Sequence, residues 1–203
     1  MTRIYLIRHG EASAHWTDAT DPGLSALGAE QAHATAKRLA PLGPLAIASS
    51  PLRRARETAA PLEAVWRTTA RIVEAVAELP TPRMRLDERP EWLQRVMHGG
   101  WSTADATLLA WRRTVLDFLT GCENDIVVFS HYVAINVALG AALGRDEFAP
   151  FQARQRVHHD IPERRQPAAT HRTRRLALAS NSLQLANAGR DWHTSRHSSH
   201  VQK

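Results

Sequence analysis

The segment Arg3–Glu11, RIYLIRHGE, places four β-forming residues directly before a charged sequence that contains glycine. A short apolar run that ends in charge is typical of a buried parallel strand, and open α/β sheets bind ligands at the carboxyl ends of such strands. His9 is largely neutral, and therefore nucleophilic, near pH 7, while Arg8 supplies a fixed cation with a fork geometry that suits phosphate. Taken alone, the motif is equally compatible with a solvated Arg-His pair at a strand end.

The length of 203 residues suits one domain, or one domain with an appendage, that buries about 70% of its unfolded surface. The single cysteine, Cys122, cannot form an internal disulfide, so a reducing cytoplasm is the expected location. The sequence has neither a run of about 20 apolar residues nor the pattern of a signal peptide, which predicts no membrane partner.

The net charge of +6 is concentrated at the carboxyl end of the chain. Residues 151–203 hold ten of the 26 basic and three of the 20 acidic residues, which leaves 16 and 17 for residues 1–150. We therefore expect a nearly neutral domain over 1–150, followed by a basic tail over 151–203. Such a tail binds polyanions non-specifically, and it does not predict a specific nucleic-acid partner.

After the first motif, the sequence predicts a loop over residues 12–23 and a helix over Gly28–Leu39. Ser25 stands where the hydroxyl of an N-cap residue accepts a free amide of the first turn. The helical spacing predicts one apolar face, formed by Ala29, Ala32, Ala36 and Leu39.

A second strand, Leu45–Ala48, leads into a helix that we expect to hold Pro51 in its first turn. Arg53 and Arg54 then lie near the amino terminus of that helix, where free amides and the macrodipole favour an anion. Because successive helical residues are rotated by about 100°, we expect Arg54 to face inward while Arg53 and Arg56 are solvated.

In the middle of the chain, the sequence predicts an extended segment over Ile72–Leu79. Within it, Glu78 is most simply a surface carboxylate. Residues 80–104 begin with Pro80 and Pro82, which disfavour a helix and favour an extended loop. We expect this segment to leave the sheet and to cover the site at the strand ends. The apolar spacing then predicts a helix over Asp105–Leu119 that closes at Gly121.

The apolar run 126–130 predicts a third buried strand, and His131 follows it directly. As after the first two strands, this junction leads into a helix, here an alanine-rich one over Tyr132–Leu143. A lone histidine there is more often structural. Parallel strands, however, bring their carboxyl ends to one edge of the sheet. The side chains expected at this edge are Arg8, His9, Arg54 and His131.

The motifs that combine these features are Arg8–Glu11, Leu24–Ala32, Ser50–Ala59, Glu78 and Val127–His131. In order and spacing they resemble the histidine phosphatase superfamily, the phosphoglycerate-mutase-like enzymes, over about residues 2–145. The resemblance implies a three-layer α/β/α sandwich with a mostly parallel central sheet. It also implies His9 as phosphoryl acceptor, Glu78 as proton donor, and a phosphate pocket formed by Arg8, Arg54 and His131.

The chemistry that this resemblance implies sets requirements on the side chains. One nitrogen of His9 attacks phosphorus, so the other needs a partner, for which a backbone carbonyl near Gly10 is the candidate. Arg8 and Arg54 should lower the pKa of His9, and burial should raise that of Glu78, so that it first donates and later accepts a proton. No metal or other cofactor is expected, because cationic side chains neutralise the phosphate.

The leading interpretation is a phosphomonoester hydrolase that acts on a small phosphorylated substrate. A phosphoglycerate-type mutase is the alternative within the enzyme class, but Ala14-His15 replaces the Trp-Asn pair of some mutase-type members. A third possibility is a catalytically impaired protein that binds phosphate or polyanions. Substrate choice is expected to depend on the loop 12–23 and the segment 80–104.

The tail departs from the orderly final strand with which members of the family usually end. Leu176–Ala179 and Asn181–Leu185 are the two candidates for that strand. The shift in composition near residue 150 has two explanations: a disordered basic appendage, or a reading-frame change. Reading the coding DNA in its other two frames tests the second, which fails if neither frame encodes an apolar strand.

Overall fold

Five strands form one all-parallel sheet in the part of the chain that the computed structural model describes, residues 2–15, 19–149 and 176–179. The strands are β1 (Ile4–Arg8), β2 (Ala46–Ser49), β3 (Arg71–Ile72), β4 (Ile126–Ser130) and β5 (Leu176–Ala179). Their order across the sheet is β3-β2-β4-β1-β5. The two apolar runs identified from sequence, β1 and β4, therefore pair with each other inside the sheet.

The helices are α1 (Ala26–Leu39), α2 (Arg53–Trp66), α3 (Arg89–His98), α4 (Ala106–Gly121) and α5 (Tyr132–Leu143). Alternate strand residues face two separate apolar cores, as the two-residue period of a strand requires. Ile7 and Phe129 pack in the core that includes α1 and α2, whereas Leu6 and Val128 pack in the core that includes α3, α4 and α5. The expected three-layer α/β/α sandwich is thus confirmed.

The register of the strands brings the predicted junctions to one edge of the sheet. Arg8 pairs with Ser130 across β1 and β4, and Ser49 pairs with Phe129 across β2 and β4. Because the pairs are parallel and nearly level, the residues that follow all three strands emerge side by side.

Two details of the amino-terminal half differ from the sequence-based expectation. Ala29 is exposed, and the buried face of α1 is formed by Gly28, Ala32, Thr35, Ala36 and Leu39. Ala29 is rotated by about 100° from Gly28 and falls at the margin of this face. The helix begins at Ala26, two residues earlier than expected. Pro51 precedes α2, whose N-cap position is Leu52. The expected cap is confirmed at Ser25, whose side chain accepts a hydrogen bond from the amide of Gly28.

The middle of the chain is less extended than expected. The predicted strand over Ile72–Leu79 reduces to the two residues of β3 and a 3₁₀ turn over Glu74–Val76. Gly121 is the last residue of α4 rather than a residue beyond it. The segment 80–104 contains α3 and contributes the buried Trp92 and Trp101 to the core that includes α3, α4 and α5.

At the carboxyl end, β5 shows that Leu176–Ala179 is the edge strand, paired in parallel with β1. The alternative, Asn181–Leu185, lies outside the described residues, as does the rest of the predicted tail over 151–203. The boundary at residue 150 and the two explanations for the tail therefore stay predictions. None of the helices in the described ranges has both the length and the apolarity needed to cross a membrane.

The loop after β1 rests directly on α1 through two glycines. A Cβ on Gly10 would lie 2.5 Å from the carbonyl oxygen of Gly28, and a Cβ on Gly28 would overlap the carbonyl oxygen of Glu11. Only hydrogen side chains permit this approach of two backbones. The contact fixes the position of His9 relative to α1.

We expect Gly28→Ala to destabilise the protein by about 1–3 kcal/mol, because the added methyl group forces the loop and helix apart. Gly121→Ala is the matched control, since nothing lies within 4 Å of its added Cβ. Denaturant titration of both variants measures the free energy of unfolding. Equal stability of the two variants would contradict the close-approach argument.

Candidate active site

Backbone hydrogen bonds join the three loops that leave the sheet edge. The amide of His9 donates to the carbonyl of Ser130 at 3.0 Å, and the amide of Ser50 donates to the carbonyl of Phe129 at 2.9 Å. These bonds extend the strand ladders by one residue. The side chains that begin the loops after β1, β2 and β4 are therefore held on a rigid frame.

His9 is oriented by its own backbone neighbour, as expected. Its Nδ1 lies 2.7 Å from the carbonyl oxygen of Gly10, so Nδ1 carries the proton and donates it. Nε2 consequently presents a lone pair, which accepts a hydrogen bond from Nε of Arg54 at 3.2 Å. Burial first, then the charges of Arg54 and Arg8, lower the pKa of His9 to about 4, so the ring is neutral at pH 7.

Arg54 is the inward-facing arginine of α2, only 6% exposed, while Arg53 and Arg56 are exposed, as the helical rotation predicted. Its guanidinium lies 3.8 Å from the carboxylate of Asp21. Burial lowers the pKa of Arg54, and the charges of Glu78 and Asp21 raise it. A buried cation with two carboxylates nearby is well suited to hold an anion without leaving its position.

His131 is completely buried at the carboxyl end of β4, and its ring centroid lies 5.1 Å from that of His9. Its Nε2 lies 2.7 Å from the hydroxyl oxygen of Ser50. Its Nδ1 is buried and has no hydrogen-bond partner among the described residues. Burial, followed by the proximity of His9, Arg54 and Arg8, lowers the pKa of His131 well below 6.5.

Glu78 differs from the two neighbouring carboxylates, Glu74 and Glu88, which are exposed. One of its oxygens accepts the amide of Leu79 at 3.0 Å, and the carboxylate also accepts the amide of Val133. Burial raises the pKa of Glu78, despite the amides and the charges of Arg54 and Arg8. Glu78 is half-buried, and its carboxyl group lies within reach of the charges of Arg54 and Arg8.

Arg8 completes the cationic side of the pocket. Its guanidinium lies over the ring of Tyr132, 5.3 Å from the ring centroid. Tyr132 is the first residue of α5 and directly follows His131. The structure therefore brings together every site residue that the sequence singled out: Arg8, His9, Arg54, Glu78 and His131.

Three supporting residues were given no role in the sequence analysis. Both carboxylate oxygens of Asp21 accept the amide of Arg53, at 2.9 and 3.1 Å, and so cap α2. Thr58 accepts the amide of Gly10 at 3.0 Å and donates to the carbonyl of Arg54 at 2.6 Å. Ser50 and Thr58 belong to the motif Ser50–Ala59, but Asp21 was part only of the predicted loop over residues 12–23.

No cluster of three or more His, Cys, Asp or Glu side chains is arranged to hold a metal ion within the described ranges. The chemical groups of the site are instead one nucleophilic nitrogen, two guanidinium groups, one buried imidazole and one carboxyl group. This set can bind a phosphoryl group, accept it on nitrogen and exchange a proton with its ester oxygen.

The family model described as "Histidine phosphatase superfamily (branch 1)" matches residues 4–160. No curated protein matches the chain. Among solved structures, the chain is similar to a phosphoserine phosphatase from Entamoeba histolytica in complex with 3-phosphoglyceric acid, with 24% identity and a TM-score of 0.57. That match covers 72% of this chain and 82% of the other.

Two further solved structures resemble the chain. A mycobacterial glucosyl-3-phosphoglycerate phosphatase with inorganic phosphate has 23% identity and a TM-score of 0.56, and the match covers 70% of this chain and 79% of the other. The protein TTHB049 from Thermus thermophilus has 28% identity and a TM-score of 0.51, with coverage of 70% and 85%. The similarity to the phosphoserine phosphatase and to the glucosyl-3-phosphoglycerate phosphatase establishes the shared fold.

The ionisation of His9 is directly measurable. We expect its ring to titrate with a midpoint near pH 4, and Arg54→Met to raise this midpoint because a nearby cation is removed. The ring nitrogen chemical shifts of His9, followed by NMR against pH, provide the measurement. A midpoint near 6.5 in the folded wild type would contradict the electrostatic description of the site.

Proposed function

Since this chain belongs to the histidine phosphatase superfamily, we propose that it is a phosphomonoester hydrolase in which His9 forms a phosphohistidine intermediate. Glu78 acts as general acid and then as general base. The observation that carries the proposal is the neutral His9, whose Nδ1 is fixed by a carbonyl oxygen and whose Nε2 lone pair points at a buried arginine.

In the first half-reaction, Arg8, Arg54 and His131 hold the phosphoryl oxygens. The Nε–H group of Arg54 transfers its hydrogen bond from His9 to the substrate, which frees the lone pair for attack. Nε2 of His9 bonds to phosphorus as the bond to the ester oxygen breaks, and Glu78 gives that oxygen its proton. The cations stabilise the charge that develops on the equatorial oxygens.

In the second half-reaction, the Glu78 carboxylate takes a proton from water as the oxygen of that water attacks phosphorus. The phosphorus–nitrogen bond breaks, inorganic phosphate leaves, and Glu78 is again protonated. A carboxyl group whose pKa is raised by burial is better able to donate a proton in the first step and to accept one in the second.

A small phosphorylated molecule is the substrate class that we propose, and its non-reacting part is expected to contact the loop 12–23 and the segment 80–104. Hydrolysis is favoured over mutase activity because Ala14-His15 does not offer the Trp-Asn pair of some mutase-type members. A cytoplasmic location is part of the proposal, supported by the single free cysteine, Cys122.

Hydrolysis of an aryl phosphate in the presence of a chelator tests the proposal. We expect wild type to be active without metal and His9→Ala to be inactive, because the attacking nitrogen Nε2 is removed. His33→Ala changes an exposed histidine of α1 and serves as the control. Well-folded wild type that binds phosphate without turnover would instead indicate a binding protein, and activity lost on chelation would contradict the metal-free mechanism.

The loss of activity on replacing Glu78 should depend on the leaving group of the substrate. We expect Glu78→Gln to lower kcat/KM for an alkyl phosphate by about 10²- to 10⁴-fold, because the poor leaving group requires a proton. An aryl phosphate with a good leaving group should lose less. Glu74→Gln, at an exposed carboxylate on the same loop, is the control. Equal losses for both esters would show that Glu78 is not the proton donor.

The same role fixes a pH dependence. Because the acid form of Glu78 is required, kcat/KM should fall as pH rises through its raised pKa, and Glu78→Gln should remove this alkaline limb. Steady-state kinetics of both proteins against pH give the comparison. An alkaline limb that persists unchanged in Glu78→Gln would contradict the assignment.

A further inference from the structure

We propose that Ser50 is a positioning residue that fixes the tautomer of His131, so that Nδ1 of this imidazole carries the proton and donates it to a bound phosphoryl group. The donor role rests on the proposed function, whereas the tautomer itself does not. Two buried polar groups support this role: the Ser50 hydroxyl and Nδ1 of His131.

The hydroxyl of Ser50 has one proton and two lone pairs. One lone pair accepts the amide of Leu52 at 3.2 Å. The proton needs an acceptor, because Ser50 is completely buried, and Nε2 of His131 lies 2.7 Å away. If His131 donated instead, the hydroxyl proton would be left with no acceptor in the described part of the chain. Ser50 is therefore the donor, and Nε2 carries no proton.

The other nitrogen of His131 then determines what the pocket can bind. Burial keeps this ring neutral at pH 7, so its single proton lies on Nδ1. Nδ1 is buried without a partner among the described residues, and the charged or titratable groups that act on the ring are His9, Arg54 and Arg8. The two arginines cannot accept a hydrogen bond, and the lone pair of His9 is taken by Arg54.

A buried N–H group among cations and without an acceptor is matched by an anionic oxygen. The Nδ1–H tautomer completes the donor set around the phosphoryl group. The Nε2–H tautomer would direct a lone pair at the phosphoryl oxygen. Ser50 thus makes a neutral histidine act as a hydrogen-bond donor, without contact between Ser50 and the substrate.

The tautomer is read from long-range ¹H–¹⁵N NMR correlations of the His131 ring. We expect wild type at pH 7 to have protonated Nδ1 and bare Nε2, and Ser50→Ala to shift His131 toward the Nε2–H form. Ser50→Thr keeps the hydroxyl and should restore the wild-type pattern. Ser49→Ala is the matched control, because Ser49 is equally buried but its hydroxyl donates to the carbonyl of Ser50.

Titration with inorganic phosphate gives a second readout. We expect Ser50→Ala to weaken phosphate binding by about 10-fold, the effect of one lost hydrogen bond to a charged group, while Ser49→Ala leaves it unchanged. If Ser50→Ala does not fold, the wild-type and Ser50→Thr spectra decide the question. Wild-type His131 with its proton on Nε2, or a tautomer and phosphate affinity unaffected by Ser50→Ala, would overturn the inference.

Hydrolysis assays separate this inference from the proposed function. A wild-type protein that binds phosphate through the Nδ1–H tautomer but hydrolyses no ester supports the role of Ser50 and contradicts the hydrolase. A wild-type protein that hydrolyses phosphate esters with His131 in the Nε2–H form does the reverse.

Discussion

The site depends on keeping the imidazole of His9 neutral while it lies 3.2 Å from the guanidinium of Arg54. Burial and the nearby cations both oppose protonation, so the same groups that attract an anion preserve the lone pair that attacks phosphorus in the proposed reaction. The carboxylate of Asp21, and that of Glu78 when it is ionised, offset the cost of burying Arg54. The charges of Arg54 and Arg8 thus act both on a bound anion and on the protonation of His9.

The fold supplies this arrangement through parallel strand register. The loops after β1, β2 and β4 leave one edge of the sheet and are joined by backbone hydrogen bonds. The loop after β1 packs against α1 where Gly10 meets Gly28, and Thr58 hydrogen-bonds the same loop to α2. Backbone geometry thus sets where the side chains of the candidate site begin, and hydrogen bonds of the His9 and His131 rings hold their orientation.

Much of this could be predicted from sequence because the decisive signals are local. A few adjacent residues are enough to identify the apolar runs before His9 and His131 and the inward rotation of Arg54 on its helix. The expectation that the strands are parallel then placed these side chains at one edge of the sheet. Asp21 was missed because its contact with Arg53 spans 32 residues and involves a backbone amide, which no side-chain pattern indicates. The structure of the segment around Val76 and Leu79 was also missed. Both residues are buried in the core, but the 3₁₀ turn at Glu74–Val76 spans too few residues for its hydrophobic pattern to distinguish a turn from a strand.

In the proposed reaction, His9 accepts the phosphoryl group. Rapid acid-free quenching of wild type with a ³²P-labelled phosphomonoester, followed by peptide mapping, measures this directly. We expect label on His9 that resists alkali but is released by acid, as a phosphorus–nitrogen bond requires, and that reaches the quenched protein no later than inorganic phosphate is released. Turnover with label on another residue, or with no phosphoenzyme under any quench condition, would contradict it.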